Sequence, residues 1–159
     1  MDMEARVEQS DHEALRLWLR LLTCTNLIES HVRARLRLRF DTTLPRFDLA
    51  AQLARAPDGL KMGEVSRRLM VTGGNVTGLV DQLEAEGLVE RFDDPDDRRA
   101  IRIRLTRAGS RWFTAMASEH EEWIAALFGE LTASERATLY RLLARVKAAA
   151  INSEMANPV

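Results

Sequence analysis

A single cysteine, Cys24, excludes an intramolecular disulfide and fits a reducing compartment. It follows the apolar-rich stretch Leu21-Leu22-Thr23, which predicts a buried or half-buried structural thiol. A reactive thiol needs an electropositive, accessible setting, so redox sensing through Cys24 is the alternative reading. No stretch approaches the roughly 18 consecutive apolar residues of a membrane span. The start Met1-Asp2-Met3-Glu4 lacks the basic-then-apolar order of a signal peptide, so a soluble, cytoplasmic protein without a membrane partner is expected. Histidine is scarce: His12-Glu13 and His120-Glu121-Glu122 offer ligand types but no i, i+4 pair, and no metal site is expected. The chain has no G-x-S-x-G, no phosphate-binding glycine loop and no histidine beside a nucleophile, so the expectation is no enzyme, no catalytic residue and no cofactor.

Net charge is also low, −1 over 159 residues, which argues against indiscriminate coating of nucleic acid. Its distribution says more. Between Arg98 and Ser118 stand six arginines (Arg98, Arg99, Arg102, Arg104, Arg107, Arg111) and no acid, directly after the acidic cluster Asp93, Asp94, Asp96, Asp97.

Apolar residues Leu15, Trp18, Leu19, Leu22, Ile28, Val32 and Leu36 recur at three and four, predicting one long amphipathic helix from about Asp11 to Phe40. Its end, Val32 to Phe40, alternates with period two like a strand. It reads as helix because Leu, Ala and Arg are good helix formers and β-branched residues are nearly absent. Pro45 marks a break, and Phe47, Leu49, Ala50 and Leu53 suggest a short second helix before the turn Pro57-Asp58-Gly59. Met62, Val65 and Leu69, then Val76, Leu79, Val80 and Leu83, form two helical stripes interrupted at Val71-Thr72-Gly73-Gly74. Gly87 ends the second stripe with Leu88 as the accompanying apolar contact. Leu88 to Phe92, an acidic turn, and Ile101, Ile103, Leu105 alternating with Arg102 and Arg104 predict a β-hairpin with one apolar and one basic face. Thr106 is a cap for a fifth helix, and Thr132-Ala133-Ser134-Glu135 is a capping box opening a sixth, with a frayed tail from Asn152.

The fold class is therefore mainly α with a small β-hairpin, in one domain over 1–159. A winged helix-turn-helix lobe spans 46–105, and helices at 11–40 and 108–151 form a second lobe. In such a layout one helix enters the major groove and the hairpin reaches flanking phosphates or the minor groove. A small α+β domain without this role, or a winged helix that binds protein and not DNA, are the alternatives. With Val76, Leu79, Val80 and Leu83 inward, the period points Gly74, Gly78, Asp81, Gln82 and Ala85 outward, flanked by Asn75 and Thr77. Glycine inside a helix costs about 1 kcal/mol against alanine, so Gly78 suggests close backbone approach to DNA, while Gly73 and Gly74 fit either that or the turn.

From Val71 to Val89, and again from Asp94 to Gly109, the chain resembles the recognition helix and wing of the MarR family of bacterial transcriptional regulators. The resemblance extends over roughly 11 to 150. It implies a homodimer in which the first, fifth and sixth helices of both subunits intertwine, and a pseudo-palindromic operator. Long apolar stripes at both chain ends fit the dimer independently, since they need a partner surface. The resemblance further implies that Arg98 or Arg99 enters the minor groove, held by Asp96 and Asp97. The DNA-contacting set is Thr72, Gly74, Asn75, Thr77, Gly78, Gln82, Arg91, Arg98 and Arg99. Many family members carry arginine where Gly78 stands, so Asn75, Thr77 and Gln82 are expected to read an A·T-leaning half-site.

Family members typically repress until a small, often aromatic or anionic effector binds. The segments Thr42 to Leu49 and Ala56 to Leu60 are similar to a subgroup governing aromatic-acid catabolism, whose effectors are coenzyme A thioesters. Arg33, Arg35, Arg37, Arg39 and Arg46 offer guanidinium forks for phosphate or carboxylate. Trp18, Phe47, Trp112 and Met116 would line the apolar part. Helical geometry puts Arg33 and Arg37 nearly opposite Arg35 and Arg39, so one ligand cannot meet them all.

Overall fold

The computed structural model describes residues 12–69 and 73–156. The long first helix, α1 (Glu13–Phe40), includes the alternating stretch and stops at Asp41, whose left-handed backbone (φ 48°) returns its N–H to Arg37 O at 3.1 Å. Aspartate tolerates that conformation better than most residues. α2 (Leu44–Ala54) carries Pro45 in its first turn, where the missing N–H costs no hydrogen bond, so the proline starts the helix.

The expected hairpin is one strand short of the sheet found. β1 (Leu60–Lys61), β2 (Val89–Asp93) and β3 (Ile101–Leu105) form an antiparallel sheet in the order β1-β3-β2, with Leu60 opposite Ile103 and Arg91 opposite Ile103 on the other side. β1 runs straight into α3 (Met62–Leu69). Glu64 reaches back to accept the Lys61 N–H at 2.8 Å, half of a capping box.

α4 (Gly73–Ala85) begins at the paired glycines, which are already helical and not part of the connecting turn. That turn, with Thr72, lies outside the described residues. α4 closes in a Schellman arrangement: Gly87 (φ 71°) donates to Glu84 O, and Leu88 to Leu83 O. Leu49, Leu53, Leu60, Val65, Val76, Val80, Leu83, Val89 and Ile103 form the buried core, joining α2, α3, α4 and the sheet. Burying one such side chain contributes about 1.5–3 kcal/mol.

α5 (Arg107–Leu127) follows Thr106, whose hydroxyl accepts the Gly109 N–H at 3.0 Å and donates to Gly87 O at 2.7 Å. Glycine is required at 109 because a Cβ there would stand 1.8 Å from Leu88 O. The contacts divide the chain into two compact units, one up to Ser118 and one from Glu119. The second contains the end of α5, with Trp123 buried, and α6 (Ala133–Ala156). The expected capping box is present: Glu135 N–H donates to Thr132 Oγ1 at 3.2 Å and Glu135 Oε2 accepts the Thr132 N–H at 2.7 Å. α6 stays helical beyond Asn152 to Ala156, where fraying was expected. No helix among the described residues is long and apolar enough to cross a membrane.

Cys24 is exposed, where the sequence predicts a buried or half-buried thiol. α1 buries Val32 and Leu36 near its C-terminal end, and Cys24 lies upstream of that packed segment.

Candidate nucleic-acid interface

The inward face of α4 is as the periodicity requires. Val76, Val80 and Leu83 are fully buried, while Asn75, Thr77, Asp81, Gln82 and Ala85 are exposed. Gly78 lies between these exposed residues, and an added Cβ would meet nothing within 4 Å. No packing among the described residues therefore demands glycine there. Gly74 shares the same side of the helix by its spacing.

In space, the arginine run is not free of acids. Register sets Glu90 opposite Arg104, and Arg104 Nε donates to Glu90 Oε1 at 2.6 Å while its guanidinium covers the Phe92 ring at 4.5 Å. Arg102 Nε donates to Asp94 Oδ2 at 2.6 Å, and Arg102 NH1 to Gly59 O at 3.1 Å. The basic face of the sheet is thus largely compensated. Arg98 and Arg99 at the tip are exposed and, among the described residues, form no ion pair.

The carboxylate that orders the wing turn is Asp94, a residue outside the pair Asp96 and Asp97 that the resemblance assigns to holding Arg98 or Arg99. Its side chain is 1% exposed, its Oδ1 accepts the N–H groups of Asp96 (2.8 Å) and Asp97 (3.0 Å), and its Oδ2 also faces Lys61 Nζ at 3.8 Å. Asp97 instead accepts the Arg99 backbone N–H at 3.0 Å. Hydrogen bonding from Arg102, with the N–H of Asp96, outweighs burial and holds the Asp94 carboxyl below the usual carboxylate range. The sequence signal that could have found Asp94 is the D-P-D-D turn itself, since a first aspartate commonly accepts N–H groups two and three residues on.

Arg91 differs from the other proposed DNA contacts. Strand alternation puts it with Val89, on the same face as its buried cross-strand partner Ile103, and its guanidinium bonds to Asp81 (2.6 Å) and to Glu84 on α4. Alternation from the apolar Val89 could have revealed that facing.

The proposed effector residues separate into two groups. Trp18 is 54% exposed on α1, Arg33 pairs with Glu29 at 3.1 Å, Arg35 donates to His31 at 3.1 Å, and Arg37 and Arg39 are exposed. The other group converges. Arg46 lies 5.8 Å from the Trp112 ring centroid and donates to Glu86, at the end of α4, at 2.6 Å. Phe47 is buried with its ring 5.6 Å from that of Phe113, and Met116, one turn along α5, is fully buried. Arg46 Nε and Thr42 Oγ1 are buried with no hydrogen-bond partner among the described residues. Thr42, Glu86 and Phe113 were not among the sequence candidates. Among the described residues no cluster of His, Cys, Asp and Glu could hold a metal ion.

Residues 40–100 match the family model described as MarR family. The HTH-type transcriptional regulator YkoM of Bacillus subtilis is 34% identical over 94 residues, covering 59% of this chain and 59% of that protein. The chain thus spans about three fifths of that relative's length. The transcriptional activatory protein BadR of Rhodopseudomonas palustris is 29% identical over 120 residues, 74% of this chain and 66% of that protein. Among solved structures, a mutant MarR from Escherichia coli complexed with operator DNA superposes with a TM-score of 0.73 at 26% identity, covering 86% of this chain and 99% of that one.

Proposed function

We propose that the chain is a member of the MarR family, supported by the matches above, and a homodimeric, sequence-specific DNA-binding regulator whose α4 enters the major groove and whose wing reaches the minor groove. The observation that carries this reading is the pairing pattern of the wing. The strand arginines Arg102 and Arg104 are compensated by Asp94 and Glu90, whereas Arg98 and Arg99, at the tip, are left for phosphates or a narrow groove. Asn75, Thr77 and Gln82 on the exposed side of α4 are the side chains available to read bases, and they favour an A·T-leaning half-site. Exposed Leu15, Leu17 and Leu27 on α1, and Tyr140, Leu142 and Val146 on α6, supply apolar surface for a second copy.

The same regulator releases DNA on binding an aromatic acid or its coenzyme A thioester. Support comes from Arg46 beside Trp112, from the unpartnered Arg46 Nε and Thr42 Oγ1, and from the link between Arg46 and Glu86 at the end of α4. An anion drawing Arg46 away from Glu86 would alter the support of α4 directly. Repression of aromatic-acid catabolism is the corresponding role, although one relative is named as an activator.

The test is binding of the purified protein to duplex DNA from upstream of its own gene at two salt concentrations, with and without aromatic acids and their thioesters. Tight, salt-sensitive binding released by a thioester supports the whole reading. Binding that no such compound releases removes the effector part, and no binding at low salt leaves a protein-interaction module.

A further inference from the structure

Arg91 has its charge committed within the chain. Its neighbours on the sheet's inner face are Val89 and Ile103, both buried, so its side chain leaves β2 toward α4 and away from the outer face that carries Arg102 and Arg104. There NH2 donates to Asp81 Oδ1 at 2.6 Å and NH1 to Glu84, while Glu84 Oε1 accepts the Arg91 backbone N–H at 3.3 Å. Asp81 and Glu84 stand one turn apart on the exposed side of α4, a helix without a lysine or arginine from Gly73 to Ala85. Burial opposes the Arg91 charge, but its hydrogen bonds to Asp81 and then Glu84 hold its pKa above the ordinary value. Two carboxylates held by separate prongs require a guanidinium fork, which a lysine ammonium does not provide.

We propose that Arg91 is a positioning residue for sequence discrimination: by gripping Asp81 and Glu84 it fixes the rotation of the base-reading face of α4 against the wing strand, and it is not a phosphate ligand. This rests on the DNA-binding reading above. The division of labour that follows is sharp. Arg98 and Arg99 supply the affinity common to all DNA, and the Arg91 grip supplies the difference between the right site and any other.

Fluorescence anisotropy with two duplexes of equal length, one from upstream of the protein's own gene and one shuffled, tests it on wild type, Arg91→Lys, Asp81→Asn and Arg91→Ala. Lysine serves a phosphate well as a point charge but cannot hold both carboxylates. Arg91→Lys and Asp81→Asn are each expected to cut the ratio of the two affinities about tenfold. Affinity for the shuffled duplex should not weaken, and the salt slope should match wild type. The inference is overturned if Arg91→Lys or Asp81→Asn keeps the wild-type ratio. It is equally overturned if Arg91→Ala weakens both duplexes in parallel and lowers the salt slope by about one, the mark of a phosphate ligand removed. Should Arg91→Ala fail to fold, the two conservative variants decide the matter. Wild-type protein that binds neither duplex, or both alike, overturns the reading of a sequence-specific regulator and this inference with it.

Discussion

Arg102 Nε sits 2.6 Å from Asp94 Oδ2, and through that contact the wing turn, β3 and the Gly59 loop become one piece. Asp94→Ala should therefore lower Tm by several degrees, because it leaves Arg102 and two N–H groups without their acceptor. The pH dependence has a definite sign. The folded carboxyl titrates below its unfolded value of about 3.9, so its contribution is fully present above about pH 4 and is lost as pH falls through the folded pKa. Asp94→Asn should be less stable than wild type at neutral pH, with the gap closing on acidification. Urea midpoints at several pH values check this, and a gap independent of pH would show that the charge on Asp94 is not what holds the wing.

Gly78 and Gly109 should respond oppositely to alanine. At Gly78 the new methyl meets nothing within 4 Å, so Gly78→Ala should stabilise the chain by about 1 kcal/mol. At Gly109 the methyl would strike Leu88 O, forcing α5 away from the end of α4 at a cost of about 1–3 kcal/mol. Thermal melts of the two variants give the comparison. If Gly78 serves the approach of DNA, its alanine variant will melt higher and yet bind promoter DNA more weakly.

In the second unit, Thr132→Ala should cost about 1 kcal/mol, the usual worth of an N-cap. Thr132 Oγ1 receives the Glu135 N–H, and Glu135 Oε2 in turn accepts the Thr132 N–H and hydroxyl at 2.7 and 2.9 Å. Those bonds hold the Glu135 carboxyl below its ordinary range. Thr132→Ser keeps the oxygen and should remain near wild type in chemical denaturation; equal losses in both variants would assign the effect to the methyl group.

The features that were legible in the sequence are those governed by local rules. Gly87-Leu88, Thr106 and Thr132 with Glu135 each satisfy helix ends within a few residues, so their roles follow from spacing. β1 escaped because two residues carry no period. The acid-free arginine run misled for a related reason: Glu90 lies 14 residues before Arg104 and Asp94 8 residues before Arg102, and only strand pairing brings them together. Cys24 was misjudged because an apolar stripe on a long helix does not say which part of the stripe this chain itself covers. Arg46 was found as a cation, but its partner Glu86 lies 40 residues away, beyond reach of any spacing argument.

If the wing binds DNA as proposed, its arginines should differ in a way that composition alone would not suggest. Arg98 and Arg99 form no ion pair among the described residues, so each that meets phosphate should release counterions on binding. Arg98→Ala or Arg99→Ala should then reduce the salt slope of log K by about 0.9 for each phosphate that the arginine neutralises in the wild type. Arg104 starts out paired with Glu90 and stacked on Phe92, so Arg104→Ala should leave the slope near wild type. Titrations on promoter DNA from about 50 to 200 mM salt span the range in which the two kinds of arginine separate clearly. Equal slope changes at Arg99 and Arg104 would mean that the ion pairs of the strands open on binding and that the whole basic face, not the tip, lies along the DNA.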